Sequence, residues 1–185
     1  MIDNGLFPAP PRATDSAVRR SRIPVIPAPG LPLTQRAQQR FWRHVVRGEG
    51  EQCWIWVGAI SSPDGYGRFT WQIDRRRRTV SAHRVALMIA HGGELPGDLV
   101  GEHFCCEPLC VRVADDHLRL TTQATNLARA VALGRHSSNR QVVASYDRAQ
   151  RSYRVREAVL EGWNETALRA AKGDALAPDQ QPGLW

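Results

Sequence analysis

The arrangement His103-x-Cys105-x4-Cys110-x6-His117 constrains this chain more than any other stretch of it. The segment between Phe104 and His117 is rich in polar and charged groups, so it can bury little apolar surface of its own. Something else must hold it. Cys105, Cys110 and His117 are soft metal ligands crowded into that short loop, and Cys53 lies upstream as an available fourth. A Cys3His set suits tetrahedral zinc, which takes thiolate sulfur and imidazole nitrogen and is closed by four protein ligands. The competing reading is that free cysteines behave as small buried hydrophobes. Cys105, Cys106 and Cys110, set beside Pro108 and between two histidines, fit that reading poorly. Cys106 falls outside the spacing and is the spare thiol. Cys53 stays open: within Cys53-Trp54-Ile55-Trp56 it reads as a ligand or as core. Glu102 and His103 stand just before the loop and Asn126 after it, a second set of oxygen and nitrogen groups. A structural and a catalytic chemistry are interleaved here.

With 185 residues the chain has room for one ordinary domain and appendages. Four cysteines are too few for a disulfide-bonded secreted scaffold, and the amino terminus carries no hydrophobic signal segment. No apolar run approaches the ~20 residues that cross a bilayer. These features predict a soluble cytoplasmic protein with no membrane partner, its thiols reduced and free for metal. Net charge is +7, and 24 of the 25 basic residues are arginine. Codon usage in a GC-rich genome would give the same bias, and many basic proteins are merely soluble. Arginine nevertheless pairs with phosphate in a planar, bidentate way, which inclines the composition towards nucleic acid.

Residues 1–34 carry Pro8, Pro10, Pro11, Pro24, Pro27, Pro29 and Pro32 and too little apolar surface to offset chain entropy, so they read as a disordered leader. From Thr34, a capping residue, the spacing of Phe41, Trp42, Val45 and Val46 predicts a short helix reaching Val46 and ended by Gly48 and Gly50. Residues 53–58 read as a strand, Ser62-Pro63-Asp64-Gly65 as a turn and residues 66–71 as the returning strand. Residues 74–78 read as a charged tip, and residues 82–91 as a helix stopped by Gly92-Gly93. A strand over 99–104, the cysteine loop, a strand over 117–120 and a helix capped by Thr121 or Thr122 follow; that helix carries Asn126. Residues 136–140 read as a linker and 141–173 as a basic helical extension. Its two apolar pieces flank Gly162-Trp163-Asn164, the outline of a helix-turn-helix or of any helical hairpin. The expected organisation is a leader (1–34), an α+β domain (35–135) and that extension (141–173), with a loose tail after Ala175.

Cys53-Trp54-Ile55-Trp56-Val57-Gly58, Gly65-Tyr66-Gly67-Arg68-Phe69, Ala82-His83-Arg84-Val85-Ala86, His103-Phe104-Cys105, Pro108-Leu109-Cys110-Val111, His117-Leu118 and residues 121–126 follow one another in this order. The series, covering about residues 39–135, resembles the HNH or ββα-metal endonucleases, above all the phage-type HNH enzymes and the His-Cys box homing endonucleases. The resemblance implies a small ββα-metal nuclease core with antiparallel strands and a zinc-stabilised loop, working in a phage or its bacterial host. It implies that His103 is the general base and that Asn126 holds the catalytic divalent cation, Mg²⁺ or another. Cys53, Cys105, Cys110 and His117 would hold structural zinc, with His117 also standing where many relatives carry the middle Asn of the catalytic triplet. Glu102 takes the place of the acidic residue that often helps bind the catalytic metal. The chain departs from the common pattern in a longer segment between Cys110 and His117, with Arg112-Val113 where Asn-Pro is usual.

Phosphodiester hydrolysis asks for an activated water, relief of charge on the phosphoryl group and help for the leaving 3′ oxygen. A histidine of pKa about 6.5 is mostly neutral at pH 7 and can take the proton from water. Mg²⁺ prefers oxygens such as those of Asn126 and Glu102 and leaves most of its shell to water and phosphate. Neighbouring strand residues point to opposite faces, so Glu102 and His103 share a site only if the strand ends or kinks there. Arg68, or one of Arg75, Arg76, Arg77 and Arg78, would clamp the phosphate; the alternative is that this run is a solvated tip. Arg84 is a further DNA-contacting candidate, while its neighbour His83 reads as a structural histidine. The expected activity is a metal-dependent endonuclease acting on double-stranded DNA. The rival is a zinc-stabilised DNA-binding module without cleavage. An RNA-binding zinc protein is disfavoured because no aromatic stacking platform is legible. Monomer and homodimer are both open.

Overall fold

The computed structural model describes residues 31–133 and 141–173. Aromatic side chains far apart in sequence draw its first half together. Thr34 caps helix α1 (Gln35–Trp42), its hydroxyl accepting the Ala37 N–H at 3.2 Å. Phe41 at the end of that helix stacks on Trp56 at 4.9 Å and meets Phe69 edge-on at 5.4 Å. All three rings are buried, and such pairs add about 0.5–1.5 kcal/mol each to the burial of their area. The helix stops at Trp42 and does not reach Val46. Val45–Arg47 is strand β1, paired antiparallel with β2 (Trp54–Trp56) so that Val45 lies opposite Trp56. β-branched valines suit a pleated surface, and the Arg47 guanidinium lies 4.5 Å over Trp54.

Strand β3 (Arg68–Ile73) pairs with β4 (Arg76–Ser81), not with the strand of Trp54 as the sequence suggests. Asp74 and Arg75 have φ of 47° and 64°, the left-handed pair that a two-residue hairpin turn demands. The charged tip therefore shrinks to Asp74-Arg75, and Arg76, Arg77 and Arg78 belong to a strand. Arg78 is engaged: its guanidinium covers Trp71 at 5.3 Å and bonds Glu94 at 2.9 Å. Leu31 and Leu33 pack against the core, and the Pro32 carbonyl accepts the Trp71 indole N–H at 3.1 Å. The described fold thus begins inside the stretch that the sequence assigns to the leader; residues 1–30 lie outside the described residues.

Helix α2 (Ala82–Ala90) buries Ala82, Val85, Ala86, Leu87 and Met88. Strands β5 (Leu99–His103) and β6 (Leu118–Thr122) pair antiparallel with His103 opposite Leu118. Thr122 caps helix α3 (Gln123–Ala132), accepting the Thr125 N–H at 3.2 Å. The α+β class and the order of strand, cysteine loop, strand and helix are as the sequence leads one to expect.

Helices α4 (Gln141–Val159) and α5 (Glu165–Lys172) follow, joined through Gly162-Trp163-Asn164. The sequence presents them as a separate extension. In the structure Val155, Val159, Leu168 and Ala171 lie in the same core as Phe41 and Trp56. Gly65, at φ 74°, lies so close under α4 that a Cβ there would stand 2.7 Å from the Arg148 carbonyl oxygen. The helical hairpin is a wall of the domain. The 136–140 linker and the tail after Ala175 lie outside the described residues. Among the described residues no helix is long and apolar enough to cross a membrane.

Leu168 is 1 % exposed, so Leu168→Ala should cost about 2–5 kcal/mol of stability in urea unfolding. A loss within error of zero would mean that α5 does not share the domain core.

Candidate metal centre and active site

Backbone pairing brings Cys53 to the cysteine loop. Trp56 N–H donates to the Leu109 carbonyl at 2.9 Å, Val111 N–H donates to the Trp54 carbonyl at 2.8 Å, and Ile55 bridges Cys110. The loop thus runs beside β2, with Cys53 at the strand's start. Arg112 fastens the same junction from the other side, donating to the carbonyls of Gly50 at 2.6 Å and Gln52 at 2.9 Å and to Glu51 at 2.6 Å. Arg112 thus has a structural role at this junction.

The ligand atoms of Cys53, Cys105, Cys110 and His117 all lie within 4.8 Å of one another. His117 Nδ1 stands 3.5 Å from Cys53 Sγ and 3.6 Å from Cys110 Sγ. Metal bonds of about 2.3 Å to sulfur and about 2.0–2.1 Å to nitrogen at tetrahedral angles put S and N about 3.6 Å apart. His117 Nε2 donates to the Glu51 carbonyl at 2.7 Å, which leaves the Nδ1 lone pair for a metal, the usual second support of a ligating imidazole. Cys53, left open between ligand and core, is both buried and part of the cluster. Cys106 is outside it, at φ 63° with its thiol directed to the Phe104 carbonyl.

Three thiols this close cannot all ionise without a cation. The hydrogen bond with Cys105 pushes the Cys53 thiol up to about 12. Cys105 first, then Cys53, pushes Cys110 above the ordinary thiol range, while hydrogen bonds from Cys110 and Cys53 hold Cys105 far below it. A bound cation would let all three ionise.

His103 ends β5. Its Nε2 lies 3.0 Å from the Cys110 carbonyl oxygen. That oxygen can only accept, so Nε2 carries the proton and Nδ1 keeps a lone pair. Burial holds the His103 pKa below 6.5, against smaller opposing effects of Cys105 and the Cys110 bond; the ring is neutral at pH 7. Tyr66 stacks beside it at 5.9 Å, and His83 meets it edge-on at 4.9 Å. Burial, then the nearby His103, Arg68 and Arg84, lowers the His83 pKa to about 3. Sequence reasoning treated His83 as structural and passed over Tyr66. The Gly65-Tyr66-Gly67-Arg68 motif was the available signal, since Gly67 lets the chain press on Trp56, where a Cβ would lie 2.4 Å from Cδ1.

Asn126 is half-buried on α3. Glu102, expected beside it as a metal ligand, is 3 % exposed and bound to Arg119 Nε at 3.0 Å and to Arg129 at 3.4 Å. Two guanidiniums engage the carboxylate, and strand alternation turns it from His103. Arg68 bonds Asp64 at 3.0 Å. Arg75, Arg76 and Arg77 are exposed and Arg84 is half-buried. Arg78, held by Glu94 and Trp71, is a structural residue and not a free DNA contact.

Nothing in the sequence marks Glu107. It is 1 % exposed, accepting the Leu109 N–H at 3.1 Å and Arg151 of α4 at 2.9 Å. It braces the turn that delivers Cys110 and ties it to the helical hairpin. Compared with protein-family models, curated proteins and solved structures, the chain matches none.

The cluster predicts that Co²⁺ added to reduced protein gives thiolate-to-metal charge-transfer absorption. Cys106→Ala should retain the band and Cys110→Ala should lose it. Equal loss in both variants would contradict the ligand set.

Proposed function

We propose that the chain is a metal-dependent DNA endonuclease of the ββα-metal kind, with zinc in the Cys53, Cys105, Cys110 and His117 cluster as its structural ion. The observation that carries the reading is the hydrogen bond from His103 Nε2 to the Cys110 carbonyl. It orients a neutral imidazole at a strand end, with its basic nitrogen uncommitted by that bond, next to a metal loop and a helix bearing Asn126.

In this reading His103 Nδ1 removes a proton from water as the water oxygen bonds to phosphorus. The bond from phosphorus to the 3′ oxygen breaks, and that oxygen leaves as a hydroxyl after taking a proton from solvent. The 5′ side keeps the phosphate. Asn126 would hold the catalytic divalent cation, whose contribution when bound is Lewis-acid relief of charge on the phosphate and the leaving oxygen. With Glu102 engaged by arginines, the remaining donor set suits a cation completed by phosphate oxygens and water, as Mg²⁺ sites commonly are. Arg68, paired with Asp64 at 3.0 Å and close enough to bear on His83, would exchange that partner for the scissile phosphate. The exposed Arg75, Arg76 and Arg77 and the half-buried Arg84 serve the DNA backbone.

A plasmid nicking assay with Mg²⁺ tests this. His103→Ala should keep fold and DNA binding and lower the rate by about 10²–10⁴-fold. Because the base must be unprotonated and its pKa lies below 6.5, the wild-type rate should be level above about pH 6.5 and fall only at more acid pH. DNA binding without any nicking by the wild type would favour the non-cleaving module. A His103→Ala rate equal to wild type would remove the assigned base.

The zinc assignment has its own check. Metal analysis of the purified chain should find about one zinc per molecule. Folded, zinc-free protein that is indifferent to chelator would contradict it.

A further inference from the structure

Helix α3 carries the proposed metal ligand, yet it buries none of its residues and none of them belongs to the core. Leu127 and Val131 stay 43 % and 55 % exposed. Apolar packing therefore does not hold this helix to the sheet. Arg129, one turn beyond Asn126 and on the same face, reaches across to β5. It donates to the Glu102 carboxylate at 3.4 Å, to the His103 carbonyl at 3.5 Å and to the Phe104 carbonyl at 2.9 Å, and lies 4.0 Å over the Phe104 ring. Arg119 completes the clasp, bonding the other Glu102 oxygen at 3.0 Å and covering Phe104 at 4.3 Å.

We propose that Arg129 is a positioning residue that sets the Asn126 helix against the strand of His103 by gripping the buried Glu102 carboxylate and the His103 and Phe104 carbonyls. Glu102 is then the anchor of this grip, which accounts for an acidic residue beside the site that does not face it. The planar guanidinium matters because three acceptors lie within its fork; a lysine ammonium would keep the charge and reach fewer of them. The catalytic consequence rests on the nuclease reading, whereas the mechanical one does not.

The test compares full-length wild type with Arg129→Ala, Arg129→Lys and Glu102→Gln by amide hydrogen exchange and, in parallel, by nicking at varied Mg²⁺. Exchange over residues 123–132 should quicken by about tenfold or more in Arg129→Ala, through local opening of α3. Arg129→Lys should recover part of the protection, and Glu102→Gln should lose part of it. Protection of β3, β4 and α2 and the Co²⁺ absorption of the cysteine cluster should not change. In nicking, Arg129→Ala should raise the Mg²⁺ needed for half-maximal rate while leaving the acid limb of the pH profile in place. Unchanged exchange of α3 in both Arg129→Ala and Glu102→Gln would overturn the proposal. So would exchange quickened equally across the whole domain, which would make Arg129 a general stabiliser. If wild type fails to nick, the nuclease reading falls, and the exchange comparison alone still decides the clasp.

Discussion

Cys110 is the residue on which the rest of the site depends. Its thiol lies among Cys53, Cys105 and His117, and its carbonyl oxygen accepts the His103 Nε2 proton at 3.0 Å. A single residue therefore couples the Cys3His cluster to the tautomer of the proposed base. The sequence leads one to expect a loop with little apolar anchorage, but Leu109 and Val111 on either side of Cys110 are buried in the common core. Polar bonds steady the loop as well: the turn to Glu107, the pairing with β2 and the Arg112 bonds to residues 50 and 52. A cation among the thiols would relieve the conflict that leaves two of three raised in pKa. In metal-bound proteins of this size, that binding energy becomes folding energy.

The same loop extends its influence to the carboxy-terminal helices. Glu107 hands one carboxylate oxygen to the loop backbone and the other to Arg151, whose Nε donates to the Lys172 carbonyl at the end of α5. Val155, Val159 and Leu168 bury against the common core from that side. The cysteine loop, the strand of His103 and the helical hairpin are consequently parts of one packed unit. The pair of helices whose sequence suits a helix-turn-helix or any helical hairpin has one face committed to this packing, which leaves residues such as Thr166, Arg169 and Ala170 at the surface.

What could be read from the sequence was local, and what could not was long-range. The Thr34 and Thr122 caps, the α2 and α3 helices and the pairable strands around the cysteine loop follow from short-range chemistry. Val45 and Val46 show the limit. Their spacing from Phe41 and Trp42 suits a helix, but pairing with Trp54–Trp56 wins because it is a tertiary event. Strand partners failed for the same reason: β3 turns on Asp74-Arg75, and a left-handed backbone is unusual for an arginine. The Cys3His cluster was legible because such a set of soft ligands is rare. The engagement of Glu102 was not legible because its arginine partners, Arg119 and Arg129, come 17 and 27 positions later in the chain.

The central claim, that the metal loop holds His103 as a neutral base through the Cys110 carbonyl, can be measured without substrate. Nitrogen-15 NMR of histidine-labelled, metal-loaded protein at pH 7, assigned with His103→Ala, reports which ring nitrogen bears hydrogen. The account predicts a neutral His103 protonated on Nε2 alone, with that state lost when chelator strips the cluster. A His103 found protonated on Nδ1, or as the imidazolium, in the metal-loaded protein would contradict it.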